Sequence, residues 1–531
     1  MIKFFGYKGN QGFDTYVNNT NKSWWKDPGL RLSVFSITIV YATQAMSGYD
    51  KSLNSTLQSL PDWKAIMGHP NASNLGLITT SLYISGFFAA VPSQMLMDKF
   101  GRRWGIFAGM IFLLVAVAIQ TAAQNKAMFI AGRVVLGIGL AMSATAGPVL
   151  CQELAHPRMR GTVAAMFNTS FYVGAIAVSW IGFGVSHWKT SGWSWRLPTL
   201  FQALPALYIL FCFPFLPESP RWLVANGREA QALQILAKYH ANGDENDELV
   251  QFEFNEMKAI LHKEQAAEAI SWRKALSTTG NRKRFATITA VSIFSNWNGQ
   301  AIVTYYLPRV LTLVGIVSPT QQTGINGGLQ IMNYITSVVG ASLAESVGRR
   351  KLWLSSFGIM LVANVVLTAT SATYAKAPTA GVGGGVIFAV FLYDLGYNVA
   401  CNPLLYAYET EIMPFALRAK GLAWSVTFGQ LQAIIFQYCN PIGLAALKWK
   451  YYLVFTAFLV VEITCIYLFF IETSGRTLEE VSALFDGEDA VENIEAAGEH
   501  VMQVEGDEKH SADKADEETD KVAGVTRVLA A

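Results

Sequence analysis

An internal repeat with an offset of about 250 residues constrains the fold of this chain more than any other feature. The polar hairpin Asp98-Lys-Phe-Gly-Arg-Arg103 lies between two apolar runs, and Glu345-Ser-Val-Gly-Arg-Arg350 repeats it. Two further elements recur at nearly the same offset, and both follow apolar runs. They are Glu153 with Arg160 answered by Glu411 with Arg418, and Pro217-Glu218-Ser219 answered by Glu472-Thr473-Ser474. The repeat predicts two parallel copies of one membrane unit.

Composition and run length predict where that unit lies. Only 15% of the 531 residues are charged, against roughly 25% in soluble domains. A span of the hydrocarbon core needs about 20 mainly apolar residues. Such runs occur at 32–53, 75–97, 104–123, 128–150, 162–185 and 197–216, and again at 285–307, 323–345, 352–371, 382–406, 421–442 and 451–471. The predicted fold class is therefore an all-α membrane protein with twelve transmembrane helices in two pseudo-symmetric six-helix bundles.

The same runs predict the domain organisation and the topology. Clusters of Lys and Arg beside the span ends place both termini on the cytoplasmic side. The plasma membrane is the expected location. The acidic tail has too few apolar residues to form a core, so we expect it to be disordered after about residue 486. The expected segments are an amino-terminal segment (1–31), a first bundle (32–216), a cytoplasmic helical linker (217–283), a second bundle (284–471) and a cytoplasmic tail (472–531).

Several motifs resemble the sugar porters of the major facilitator superfamily. They are the two Gly-Arg-Arg hairpins, Gly132-Arg133, Pro217-Glu-Ser-Pro-Arg-Trp222, Glu411-Ile-Met-Pro414 and Glu472-Thr-Ser-Gly-Arg-Thr-Leu-Glu-Glu480. The resemblance covers about residues 35–485 and implies the major facilitator fold, in which two bundles open alternately around a central site. Glu153-Leu-Ala-His-Pro157, Asn168-Thr169 and Gly192-Trp-Ser-Trp-Arg196 resemble the fungal lactose permease and cellodextrin transporter branch. The resemblance implies transport of a sugar, with lactose or cellobiose as the expected kind of substrate.

Two charged residues inside predicted spans suggest coupling to protons. Asp50 ends Ser47-Gly-Tyr-Asp50, and Arg133 lies near the start of the fourth span. An unpaired charge at such a depth costs a few kcal/mol, so each residue needs the other or water. In the sugar porters that this sequence resembles, an aspartate at this position is typical of proton-coupled members. The alternatives are a first span that ends at Gly48, which would leave Asp50 at the surface, and a purely structural role for Arg133.

Amides and aromatic residues are the predicted sugar contacts. A side-chain amide both donates and accepts hydrogen bonds, as a hydroxyl does, and an aromatic ring covers the C–H face of a sugar. Each amide could equally form a hydrogen bond between helices. The resemblance assigns this role to Asn168, Asn296, Gln300, Asn333 and Tyr406. Asn168 and Tyr406 stand where the family usually has Gln and Trp, and the smaller side chains would leave room for a disaccharide.

The charged residues near the hairpins resemble the family's inner gate, in which ion pairs hold the cytoplasmic side shut, and Arg103 with Glu153 is one expected pair. The alternative is that the arginines only determine topology. The predicted gate residues are Asp98, Arg102, Arg103, Glu153, Arg160 and Glu218 in the first half, and Glu345, Arg349, Arg350, Glu411, Arg418 and Glu472 in the second. Outside the spans, Asn71-Ala-Ser73 is a predicted glycosylation site.

The predicted function is secondary active transport of a sugar with proton symport. No nucleophile elbow, zinc spacing or phosphate loop is present in the sequence, so we expect no enzyme activity, no cofactor and no metal. The expected partners are a small sugar, protons and membrane lipid, with no nucleic acid, and the monomer is the expected functional unit. The alternatives are facilitated transport of a hexose or another small polyol or acid, and a sugar sensor that does not transport.

Overall fold

The structure is a computed structural model that describes residues 18–21, 23–188, 192–268, 272–473, 481 and 484–485. The described residues form nineteen α-helices and no β-strand. In the first half and the linker, the helices are α1 (Pro28–Ser59), α2 (Pro61–Ile66), α3 (Ala72–Phe100), α4 (Arg102–Thr121), α5 (Lys126–Leu154), α6 (Arg160–Val185), α7 (Trp193–Phe201), α8 (Ala203–Cys212), α9 (Pro220–Ala225), α10 (Glu229–His240), α11 (Glu248–Glu268) and α12 (Trp272–Ala275). In the second half they are α13 (Thr279–Trp297), α14 (Gln300–Leu313), α15 (Pro319–Val347), α16 (Arg349–Lys376), α17 (Ala380–Ile412), α18 (Phe415–Leu447) and α19 (Tyr451–Phe469).

These helices make twelve spans in two six-helix bundles, as the sequence predicts. The first bundle contains α1, α3, α4, α5, α6 and the pair α7–α8, and the second contains the pair α13–α14 with α15 to α19. Eight described segments are long and apolar enough to cross a membrane by length and composition alone, and they leave out α1, α13–α14 and α15. Those three spans carry many of the buried polar side chains, including Asp50, Asn54, Gln58 and Asn333. The least apolar spans therefore supply much of the polar interior.

Each bundle has its own apolar core. In the first bundle, Met110 and Leu113 of α4 belong to the same buried apolar cluster as Leu150 of α5. In the second bundle, Phe357 and Met360 of α16 belong to a core that also contains residues of α13, α17 and α19. A third cluster contains Leu57 and Trp63 of the first half together with Tyr306 of α14, so the halves also share buried apolar contacts.

The Gly-Arg-Arg hairpins owe their shape to a carboxylate at the start of the second helix of each hairpin. Gly101 and Gly348 have φ values of 103° and 94°, in the region that favours glycine. The Arg103 N–H donates to Glu218 Oε1 at 3.1 Å, and the Arg349 N–H donates to Glu472 Oε1 at 2.7 Å. A negative group is stabilised at a helix N-terminus by the free N–H groups and the helix dipole. The repeated glutamates thus cap the repeated hairpins.

The two halves are joined at the end of the molecule opposite the hairpins, which we call the distal end. Near this end Ser179 of α6 accepts a hydrogen bond from Asn326 of α15 at 2.9 Å, and Ser186 donates to Thr320 at 3.0 Å. Gln58 of α1 donates to the Tyr305 carbonyl of α14 at 2.8 Å. These contacts close the distal end of the central region in this structure.

Candidate transport site

Asp50 lies within α1, nine residues before its end at Ser59, and is 0% exposed. The carboxylate is therefore inside the bundle and not at the surface, where the alternative prediction placed it. Its Oδ1 accepts a hydrogen bond from the side-chain amide of Gln202, which lies between α7 and α8. Its Oδ2 has no hydrogen-bond partner among the described residues.

Arg133 of α5 is 1% exposed and lies close enough to Asp50 for each charge to act on the other. The described residues give it no ion pair within 4.0 Å, and its Nε and Nη1 atoms have no hydrogen-bond partner among them. Lys51 also acts on Asp50, from the next position of α1. The acid and the guanidinium thus lie near each other, each with unpaired atoms, while Gln202 holds the carboxylate.

The seventh span is broken at its centre, where two of the predicted sugar contacts lie. Asn298 and Gly299 separate α13 from α14, and Gly299 has a φ of 89°. Broken helices expose backbone groups and side chains to a central cavity in many transporters. The Asn296 amide donates to the Ser292 carbonyl at 3.0 Å, and the Gln300 side chain donates to Thr304. Both amides are half-buried and retain an acceptor oxygen for a ligand.

Asn333 belongs to a buried cluster that joins α15, α17 and α6. Its Nδ2 donates to Asp394 Oδ2 at 2.8 Å, and its Oδ1 accepts from Asn398 at 3.1 Å. Asn398 in turn accepts from the Tyr172 hydroxyl of the first half at 2.5 Å. Asp394 is 0% exposed, and the groups that act on it are the amides of Asn333 and Gln300. This cluster brings two predicted contacts, Asn333 and Gln300, to one buried carboxylate at the interface of the halves.

The remaining two predicted sugar contacts are Asn168 and Tyr406. Asn168 is half-buried, one turn before Tyr172 on α6, so the two side chains lie on the same face of the helix. Asn168 therefore faces the same side as the cluster that Tyr172 joins. Tyr406 lies within α17, and its side chain is outside the described part of the structure.

In the first half, the predicted gate residues bind partners in their own half. The Arg103 guanidinium donates to the Phe213 carbonyl at 3.1 Å and lies 4.3 Å from the centre of the Phe213 ring. Glu153 accepts a hydrogen bond from the Ser219 hydroxyl. Glu218 caps α4, and burial raises the pKa of its carboxyl even though the hydrogen bonds from Ser219 and Arg103 lower it. The structure therefore does not place Arg103 on Glu153, and the two residues bind separate groups.

The other predicted gate residues of the first half are Asp98, Arg102 and Arg160. Asp98 and Arg102 form an exposed ion pair at 3.9 Å within the hairpin. Arg160 binds Glu253 of the linker helix α11 at 2.9 Å, and Glu253 also binds His240 at 2.7 Å. Arg160 thus fastens the linker to the first bundle in this structure.

The predicted gate residues of the second half are arranged like those of the first, with a direct ion pair between a hairpin arginine and the acid at the end of the tenth span. Arg349 Nη2 lies 2.8 Å from Glu411 Oε1, and Thr473 donates to the other oxygen of Glu411 at 2.5 Å. Glu472 caps α16 by accepting from Arg349 N and Arg350 N at 2.7 and 3.1 Å. The side chains of Glu345 and Arg418 are outside the described part of the structure. In both halves a hydroxyl residue after the capping glutamate binds the acid at the end of the fourth or tenth span.

Asn71 is exposed and is the N-cap of α3, where its Oδ1 accepts from Asn74 N at 2.8 Å. Its Nδ2 atom, to which a glycan would be attached, is not used by the cap. Among the described residues, no group of three or more His, Cys, Asp or Glu side chains could hold a metal ion.

Gln202, Asp394 and Asn398 are functional candidates that the sequence reasoning missed. All three are 0% exposed. Asp394 is an ionisable residue in a span, which is a signal in its own right. Gln202 and Asn398 carry a weaker signal, because an isolated amide in an apolar run is common.

Comparison with known proteins agrees with this arrangement. Residues 36–485 match the family model described as "Sugar (and other) transporter". The chain is 26% identical over 469 residues to a high-affinity glucose transporter of Kluyveromyces lactis, covering 85% of this chain and 84% of that protein. It is 28% identical over 477 residues to the MFS-type transporter criB of Aspergillus cristatus, covering 86% and 94%. These similarities extend over both bundles and the linker.

Solved structures show the same fold. A partially occluded inward open conformation of the xylose transporter XylE from E. coli has a TM-score of 0.70 at 21% identity and covers 84% of this chain and 99% of that chain. A second structure, of the proton:xylose symporter XylE bound to 6-bromo-6-deoxy-D-glucose, has a TM-score of 0.69 at 22% identity and covers 85% and 99%. The two bundles and the family match over most of the length lead to one conclusion: this chain is a multi-pass membrane protein of the sugar transporter family of the major facilitator superfamily, and not an enzyme.

Proposed function

We propose that the chain imports a sugar together with protons, by alternating access between its two bundles. The observation that carries the proposal is the buried pair of Asp50 and Arg133, which are close to each other and still have unpaired atoms. A carboxylate that contacts a guanidinium stays ionised, whereas one that loses this contact inside the protein favours the protonated form. Rearrangement of α1 against α5 would therefore take up or release a proton.

Neutralising Asp50 also removes the cost of moving a charge. An unpaired charge inside a span is unfavourable by a few kcal/mol, so the bundles can rearrange more easily when the acid is protonated. Gln202 can hold the carboxyl group in either form, because an amide both donates and accepts hydrogen bonds. The fold that the chain shares with XylE, a proton:xylose symporter, supports the proposal.

The sugar is proposed to bind where the broken seventh span meets the cluster around Asn333. Asn296, Gln300 and Asn333 supply amides from the second half, and Asn168 supplies one from the first. Asp394 adds a buried carboxyl group, which can accept a hydrogen bond from a sugar hydroxyl. Contacts from both halves would let the sugar influence how the halves close.

The substrate class has two candidates. The small side chain at Asn168 and the resemblance to the lactose permease and cellodextrin transporter branch support a disaccharide such as lactose or cellobiose. A relative at 26% identity is a high-affinity glucose transporter, which supports a hexose. Competition between labelled glucose and unlabelled cellobiose or lactose decides between them.

We also propose the plasma membrane as the location, with both termini and the hairpins on the cytoplasmic side and the monomer as the working unit. The same proposal includes the domain limits predicted from the sequence, the inner-gate role of the charged residues near the hairpins and glycosylation at Asn71. With this orientation, the closed distal end would face outward.

Uptake of labelled sugar into cells that lack their own sugar porters tests the proposed function. Accumulation above the external concentration, abolished by a protonophore, is the expected result. Equilibration without accumulation would indicate facilitated transport, and no uptake of any tested sugar would support the alternative of a sensor. Either of these outcomes would contradict symport.

A further inference from the structure

A cavity of about 370 Å³ lies at the distal end, away from the proposed sugar site. The first half contributes Trp63, Lys64 and His69 to its wall, and the second half contributes Arg309 and Leu444. The volume is in the range of small-molecule sites in proteins. Because both halves form the wall, the cavity exists in this shape only while the distal end is closed.

The cavity wall carries positive charge without a compensating acid. Lys64, Arg309 and His69 line it, and none of the twelve described residues that line it is acidic. Asp62, the acid of the same short helix as Lys64, instead binds the Ser194 hydroxyl at 2.6 Å. The Arg309 side chain donates a 3.3 Å hydrogen bond to the Pro70 carbonyl. Burial and the neighbouring Arg309 lower the pKa of Lys64, and no carboxylate offsets them.

Two residues that line the cavity also carry buried polar atoms without partners among the described residues. Trp63 is 1% exposed and Gln58 is 4% exposed, and both line the cavity. The indole N–H of Trp63 and Oε1 of Gln58 have no hydrogen-bond partner among the described residues. Buried polar groups without partners are uncommon and costly. One of these atoms is a donor that suits an anion, and the other is an acceptor that suits a hydroxyl group.

We propose that this cavity binds a small organic hydroxy carboxylate. Lys64, Arg309 and the Trp63 N–H would hold the carboxylate, and Gln58 would accept from the hydroxyl. The apolar residues of the wall, such as Leu444, would cover the hydrocarbon part of the ligand. A ligand that binds only the distal-closed state stabilises that state, so its binding would oppose transport.

Thermal unfolding of the purified full chain in detergent micelles tests this site without any transport measurement. The probe is mandelate, a carboxylate with a hydroxyl group and an apolar ring, and its neutral counterpart is mandelamide. We expect mandelate to raise Tm in a saturable manner, and mandelamide to have no such effect. Lys64→Gln and Arg309→Gln should each weaken mandelate binding at least about tenfold, because a charge-assisted hydrogen bond is lost.

Control variants distinguish loss of the binding site from loss of the fold. Lys126→Gln removes a distal lysine that does not line the cavity and should leave mandelate binding unchanged. Lys64→Arg should retain most of the affinity, and the Tm of each variant without ligand shows whether it is folded. Equal stabilisation by mandelamide, unchanged affinity in both glutamine variants, or no stabilisation by mandelate would overturn the proposal. Equally tight binding of inorganic phosphate would indicate an adventitious ion only and would also overturn it.

Discussion

The two halves of the molecule share a fold and a hairpin motif but treat their buried acids differently. Asp50 in the first half lies near Arg133 and is held by Gln202. Asp394 in the second half is surrounded by amides, from Asn333 and Gln300. A nearby cation makes the charge of an acid depend on geometry, whereas fixed amide donors stabilise one arrangement. Under the proposed function, charge switching belongs to the acid of the first half, and the acid of the second half takes part in sugar recognition.

Asp50→Asn is expected to have the largest effect. One proton moving through roughly 150 mV provides about 3.5 kcal/mol, which can support a concentration ratio on the order of 300-fold. The variant should lose this accumulation and retain sugar exchange, because the amide can still bind Gln202. Proteoliposomes with an imposed membrane potential measure accumulation, and counterflow without a gradient measures exchange. Uphill uptake by this variant would contradict the assignment of Asp50.

Asp394→Asn should weaken sugar binding and leave coupling intact. Losing a hydrogen bond to a charged group costs about 1.5–3 kcal/mol, so the KM for exchange should rise on the order of 10- to 100-fold. The accumulation ratio at saturating sugar should stay near that of the wild type. If this variant loses accumulation and keeps its KM, both acids carry protons and the proposed division between the halves is wrong.

The hairpin glycines, Gly101 and Gly348, occupy equivalent positions in the two halves, so the stability of their alanine variants can be compared. An added Cβ at Gly101 would lie 2.2 Å from Glu218 Oε2, and at Gly348 it would lie 2.8 Å from Glu472 Oε2. Both positions also have positive φ, so each alanine variant should lose roughly 1 kcal/mol or more of stability. Gly101→Ala should lower Tm more than Gly348→Ala. The reverse order would show that the carboxylates move aside at little cost.

Asn168→Gln should give the smallest effect, because it only adds a methylene on the sugar-facing side of α6. If Asn168 makes room for a second sugar unit, the KM for a disaccharide should rise by a factor of about 10 and the KM for a hexose should change less. Parallel uptake assays with labelled cellobiose and glucose measure both. An equal rise for both sugars would mean that Asn168 contacts a hydroxyl that they share.

Much of the fold could be predicted from the sequence because the repeat and the apolar runs are properties of the chain itself. The twelve spans and the repeated hairpins follow from these local patterns. The sequence predicts Glu218 and Glu472 as gate residues, and the structure shows that they cap α4 and α16. The partners of the site residues could not be predicted in the same way. Arg103 lies on Phe213 instead of Glu153, and Arg160 binds Glu253 of the linker. Such pairings depend on helix rotation and on the conformational state, which spacing in the sequence does not specify.

Asp394 illustrates a second limit. The resemblance directed attention to positions that match known motifs, and Asp394 matches none of them. The general cost of an acid inside a span would have identified it from the sequence. Its role as a neighbour of Asn333 and Gln300 still requires the structure, because the three residues come from three different spans.

The number of protons moved per sugar tests the central claim most directly. It can be measured in proteoliposomes from the membrane potential that just balances a known sugar and pH gradient. The account predicts the same ratio in the wild type and in Asp394→Asn, and no coupled proton in Asp50→Asn. A lower ratio in Asp394→Asn, or an unchanged ratio in Asp50→Asn, would contradict the assignment of proton coupling to the first half.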